Sequence, residues 1–72
     1  MNDLYETQCM IRTRYEMLTK AKRKSYQLAM TPKRVDLWQS HDWEHSRDPG
    51  AGAEFCRKAQ SISLDMLEAF EV

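Results

Sequence analysis

DLYETQCMIRTRYEMLTKAKRKSYQLAM, residues 3–30, is the stretch on which the reading of the whole chain turns. Neither Gly nor Pro interrupts it, and its apolar residues recur at helical spacing, so it reads as one long helix. Leu4, Ile11 and Leu18 follow at intervals of seven, with Ser25 next; Thr7, Arg14, Ala21 and Leu28 form the companion series. That is an imperfect heptad seam, apolar in one series and small or polar in the other. Met10 and Met17 flank it on one side, Tyr15 and Ala29 on the other. At about 1.5 Å per residue the helix is roughly 40 Å long, longer than any core the remaining residues can build beside it. The expectation is that the overhanging seam (Leu4, Ile11, Arg14, Leu18, Ala21, Leu28) pairs with a second copy in a homodimeric helical bundle. Arg14 is the misfit on this face. It needs either a route to solvent or a carboxylate on another helix, across the dimer included.

Working outward, Asn2 or Asp3 can cap the start of this helix, with Glu6 near its positive end. Thr31-Pro32 is expected to end it, because the residue before Pro is pushed out of helical geometry. The same pair can start a second helix, Thr as cap and Pro as first helical residue. A helix over about 32–45 follows, with Val35, Trp38 and Leu37 inward and His41, Trp43 and His45 towards its end. Ser46 to Gly52 collects turn residues, and Asp48-Pro49 can repeat the cap-then-Pro device. The third helix, about 50–71, has the clearest amphipathic pattern. Phe55, Ala59, Ile62, Met66, Ala69 and Phe70 share one face, with Cys56, Ser63 and Leu67 at its edge. The reading is therefore one all-α domain over residues 1–72, with the third helix antiparallel or oblique on the first. Its expected core is Leu4, Ile11, Leu18, Leu28, Val35, Trp38, Phe55, Ile62, Met66 and Phe70.

A chain of 72 residues buries only about 60% of its unfolded surface, so its own core is marginal. Small domains of this kind add a disulfide, a metal or a partner subunit. Basic and acidic residues balance, 11 against 11, but they are polarised along the chain. Arg12, Arg14, Lys20, Lys22, Arg23, Lys24, Lys33 and Arg34 stand against Glu16 alone over positions 12–34, whereas the end carries Asp65, Glu68 and Glu71. Two cysteines, Cys9 and Cys56, show no disulfide framework. The opening Met-Asn-Asp-Leu-Tyr-Glu lacks the charged and apolar regions expected of a signal peptide, and no apolar run reaches the length of a membrane span. A cytoplasmic protein with both thiols reduced is expected.

Few residues are spaced for chemistry. His41 and His45, four apart, can share a helix face and hold one metal ion. Against this, no third ligand is set by sequence, and helix-end histidines at solvent have the same spacing. Neither cysteine has a His or Asp placed to activate it. Asp42, Glu44 and Asp48 form an acidic group of the ordinary solvated kind. Met10, Met17, Met30 and Met66 suit either core filling or an adaptable binding face. The basic surface with Tyr15 and Tyr26 interleaved can follow a nucleic-acid backbone, through Arg12, Lys20, Arg23, Lys24, Lys33 and Arg34. These residues are spread around the helix, as in a solvated surface, and are not gathered in one stripe.

The long charged opening helix, Tyr5 to Met30, and the Trp38/Trp43 segment before an amphipathic ending give the chain a general character. In this it resembles the small all-helical proteins encoded in the early region of lambdoid bacteriophages, between the exonuclease and excisionase genes. The resemblance implies a non-enzymatic accessory protein that influences host or phage development by binding; no cofactor is expected from the residues. From the residues, the three readings of function are a protein-interaction or regulatory module, a nucleic-acid-binding regulator, and a metal-dependent or redox protein.

Overall fold

The computed structural model describes residues 3–43 and 50–71 and is all-α among them. Three helices follow in order: α1 (Asp3–Glu16), α2 (Lys20–Ser40) and α3 (Ala51–Phe70). The expected helix over 3–30 is therefore two helices. The chain turns at Met17, Leu18 and Thr19, where there is neither Gly nor Pro. Thr19 takes extended backbone (φ −63°, ψ 159°) and its hydroxyl accepts from the Lys22 N–H at 3.2 Å. That is an N-cap, worth about 1 kcal/mol. The end of α1 is closed in turn. Leu18 N–H donates to the Tyr15 carbonyl at 3.1 Å, and the Arg23 guanidinium reaches back to the Glu16 carbonyl at 3.5 Å. Leu18 itself is buried. The bend brings both halves of the stretch onto α3, where a straight helix leaves one half uncovered.

Pro32 lies inside α2, so Thr31-Pro32 neither ends one helix nor starts another. Proline's fixed φ is itself helical; its cost is a missing N–H and crowding of the preceding turn. The carbonyl thus deprived belongs to Leu28, an exposed residue open to water. Thr31 adds a hydroxyl bond to the Gln27 carbonyl at 3.0 Å. The second helix consequently ends at Ser40, short of the expected residue 45. His41 is its C-cap, donating its N–H to the Leu37 carbonyl at 3.0 Å. The expected caps at Asn2 and Asp48-Pro49, and most of the Ser46–Gly52 turn, lie outside the described residues.

α3 is the centre of the molecule. α1 and α2 each pack along it and touch one another only marginally. Gln60 donates to the Leu4 carbonyl at 2.8 Å and Arg14 is bonded to Glu71. α1 and α3 therefore run in the same sense. At the other flank Tyr26 meets Phe70 and Trp38 meets Phe55, so α2 runs against α3. The expectation of α3 antiparallel or oblique on the first helix is thus corrected for α1 and applies to α2 instead. The reversal at residues 17–19 is what changes the sense.

The core is Ile11, Leu18, Tyr26, Met30 and Leu67, with Tyr15, Ile62, Leu64, Met66 and Phe70 packed around it. Tyr26 bridges Tyr15 and Phe70 at ring distances of 5.3 and 6.3 Å. The innermost line of α3 is Gln60, Ser63 and Leu67, rotated from the expected apolar face because α3 is wedged between two helices. Small Ser63 permits close approach, and buried Gln60 is satisfied by α1. Of the expected core, Leu28, Val35 and Trp38 are exposed.

Three helices side by side make a slab, 39 × 30 × 14 Å. Its radius of gyration is 13.4 Å, against about 11 Å for a compact chain of this length. Its accessible surface is 5591 Å², where a folded monomer of this mass has about 4,700 Å².

Candidate functional site

Large apolar side chains are exposed at several places, Tyr5, Met10 and Met17 in the first part of the chain among them, and one group of them lines a long face of α2. In α2, Tyr26 and Met30 are buried in the core and Leu37 is half-buried on the same side. With 3.6 residues per turn the outward face then carries Ala21, Lys24, Leu28, Thr31 and Val35, with Trp38 at its edge, where its ring also meets Phe55 of α3. All six are exposed. Leu28 is 69%, Val35 47% and Trp38 59% open to solvent, far from what large apolar side chains adopt when a core is available. Their spacing alternates between three and four residues, which is the seam period of paired helices.

The end of this face is fixed by an aromatic group. Trp38 and Trp43 lie 4.5 Å apart, and Phe55 of α3 meets them at 5.9 and 5.1 Å. The Trp43 indole N–H donates to the Trp38 carbonyl at 2.9 Å, closing the end of α2. His41 is buried between Trp43 and Phe55, at 4.4 and 5.2 Å. These contacts hold Trp38 in place while leaving most of its ring at the surface.

The expected seam is divided by the turn at residues 17–19. Ile11 and Leu18 are buried and Leu4 and Arg14 half-buried, the first half facing α3; Ala21 and Leu28 face outward on α2. Arg14 finds its carboxylate within the chain. Its Nε donates to Glu71 Oε2 at 3.1 Å and its Nη2 to Oε1. The hydrogen bond to Arg14 lowers the Glu71 pKa and that to Glu71 raises the Arg14 pKa, with the ion-pair attraction adding in the same sense. Burial opposes both shifts.

The basic residues gather on α2 but leave it on several sides. Lys20 and Lys24 lie outward, whereas Arg23 is engaged with the end of α1. Arg12, on α1, pairs with Glu16 at 3.3 Å. Arg34 lines a groove of about 430 Å³ between α1 and α2, floored by Gln60 and Ser63 of α3 and edged by Leu4, Gln8 and Cys56. Cys9 and Cys56 are free and exposed. His41 lies in the aromatic group and His45 outside the described residues. Among the described residues no three His, Cys, Asp or Glu are grouped to hold a metal. Nor, among the described residues, is any helix long and apolar enough to cross a membrane.

Tyr26, Met30 and Leu67, the most buried side chains, were not in the expected core. Met30 lies four residues from Tyr26, and Leu67 four residues from the buried Ser63. That signal is in the sequence but is concealed by the break that sets the phase of α2. No family model, curated protein or solved structure matches the chain.

Proposed function

We propose that the protein is a non-catalytic binding module whose contact surface is the outer face of α2. The observation that carries this reading is the exposure of Leu28, Val35 and Trp38 together on one helix face. Burying such a stripe is favourable by about 25 cal/mol per Å² of apolar surface, and Trp is a preferred anchor of protein interfaces. The role is that of an interaction or regulatory protein. The resemblance to bacteriophage accessory proteins is one setting for it, although one of its two supports, an unbroken opening helix, is absent.

Photocrosslinking tests the surface. A photoreactive residue placed at Leu28 or Val35 is expected to form protein adducts in cells, and one at Lys58, on exposed α3 surface, is not. Equal adducts at all three positions, or none at Leu28 and Val35, overturn the proposal.

The second reading is nucleic-acid binding. What favours it is that α2 carries Lys20, Lys22, Arg23, Lys24, Lys33 and Arg34 against Asp36 alone. Against it stand the several directions in which they point and the engagement of Arg23 with α1. Binding to DNA that weakens steeply with salt supports this reading, and no binding at low salt removes it.

A further inference from the structure

We infer that the occupant of the outer face of α2 is the same face of a second copy of this chain, in antiparallel orientation. The inference rests on that face being the binding surface, and it adds the partner and its direction.

Size and charge along the stripe select the arrangement. The six positions are Ala21, Lys24, Leu28, Thr31, Val35 and Trp38, all exposed and spaced alternately by three and four. Two such stripes pack knobs into holes along their length. In a parallel pair each residue meets its own copy. Trp38 then meets Trp38, Ala21 meets Ala21 across a void, and Lys24 meets Lys24. In an antiparallel pair centred between Leu28 and Thr31, the layers are Ala21 with Trp38, Lys24 with Val35, and Leu28 with Thr31. The smallest side chain now faces the largest. Each lysine lays its aliphatic stem over a valine and carries its ammonium to the edge.

The ends of α2 agree with this direction. Its first turn holds Lys20, Lys22 and Arg23 and no acid; its last turn holds no base. Cations at a helix N-terminus oppose the helix dipole. Within one chain this arrangement is unfavourable. In an antiparallel pair the basic end of each α2 lies beside the negative end of the other, and Lys20 and Lys24 approach the ring of Trp38 of the second copy.

The surface of the molecule is also of the right extent. The chain exposes 5591 Å², about 900 Å² more than a compact monomer of its mass. A standard protein interface removes about 800 Å² from each partner. Pairing two slabs through α2 brings the exposed area close to that of an ordinary folded chain.

Light scattering and sedimentation of the full chain across the micromolar range test the partner. The wild type is expected at twice the chain mass. Leu28→Glu, which puts two carboxylates near the two-fold axis, is expected at the chain mass. Val35→Glu faces Lys24 of the second copy, so it is expected to remain dimeric at low salt and to dissociate as salt is added. Circular dichroism is expected to show helix retained in both variants, because both positions are exposed in the single chain. Spin labels at Ala21→Cys, in a Cys9→Ser, Cys56→Ser background, test direction. The antiparallel pair separates them by about 25 Å along the axis, and a parallel pair by about 10 Å.

A wild type that is monomeric throughout overturns the inference. So does a Leu28→Glu dimer as tight as wild type, or a short label distance. A monomer that still crosslinks through position 28 to another protein keeps the contact surface and removes the second copy. A chain that neither self-associates nor crosslinks there removes both.

Discussion

Arg14 and Glu71 are 57 positions apart, yet they form the paired ionic contact that ties the end of α1 to the end of α3. A charge on an apolar face needs a partner or a route to solvent, and here a carboxylate on another helix meets it. Glu71 is the C-cap of α3, so the guanidinium also sits at the negative end of that helix. Because the folded-state pKa of Glu71 is lowered, the pair's contribution is complete above the ordinary glutamate range. It is lost as pH falls through the lowered folded value, since the unfolded chain takes up the proton first. Arg14 stays protonated throughout. Glu71→Gln is therefore expected to be less stable than wild type near neutrality. Its melting temperature should also fall less than that of wild type between about pH 6 and about pH 3, where carboxylates titrate. Parallel thermal melts of the two proteins decide this, and identical pH profiles exclude a contribution from the pair.

At the scale of the elements, the two punctuation points of the chain are exchanged. Thr19 breaks the helix without help from Gly or Pro, and Pro32 sits within one. The reasons are energetic. A helix break after Glu16 loses a few backbone bonds, but capping recovers part of them and burial of Leu18, Tyr26 and Met30 adds more. At Pro32 the lost bond faces water and no turn is gained by stopping there. The proline remains a local cost, so Pro32→Ala is expected to stabilise the protein by about 1–3 kcal/mol. Urea unfolding measures it, and a loss of stability shows that the proline sets a bend on which α2 packing depends.

For the whole molecule, a slab only 14 Å thick in its shortest dimension has little interior. Among the described residues five apolar side chains make the buried core, and Leu67, fully enclosed, stands at its centre. Replacing a buried Leu by Ala costs about 2–5 kcal/mol. A core this small supplies no more than about 3–5 kcal/mol. Leu67→Ala is thus expected to leave the chain largely unfolded at ambient temperature by circular dichroism. An intact thermal transition shifted by only a few degrees shows that stability is drawn from elsewhere, the α2 interface foremost. The same thinness explains the exposed stripe, since a single layer covers α2 on one side only.

The sequence by itself determined that the chain is all-helical, that α3 is amphipathic through Ile62, Met66 and Phe70, and that Arg14 needs an acid or a route to solvent. Each follows from local periodicity, or from the cost of leaving a charge on an apolar face. The tertiary structure alone decided where the long opening stretch turns, and with it which half of the heptad seam faces inward. A turn at Thr19 and a straight helix differ little in local energy. The difference lies in contacts with α3, some forty residues further along the chain. The same contacts turned Leu28, Val35 and Trp38 outward, so that three residues expected in the core form the surface on which function is proposed.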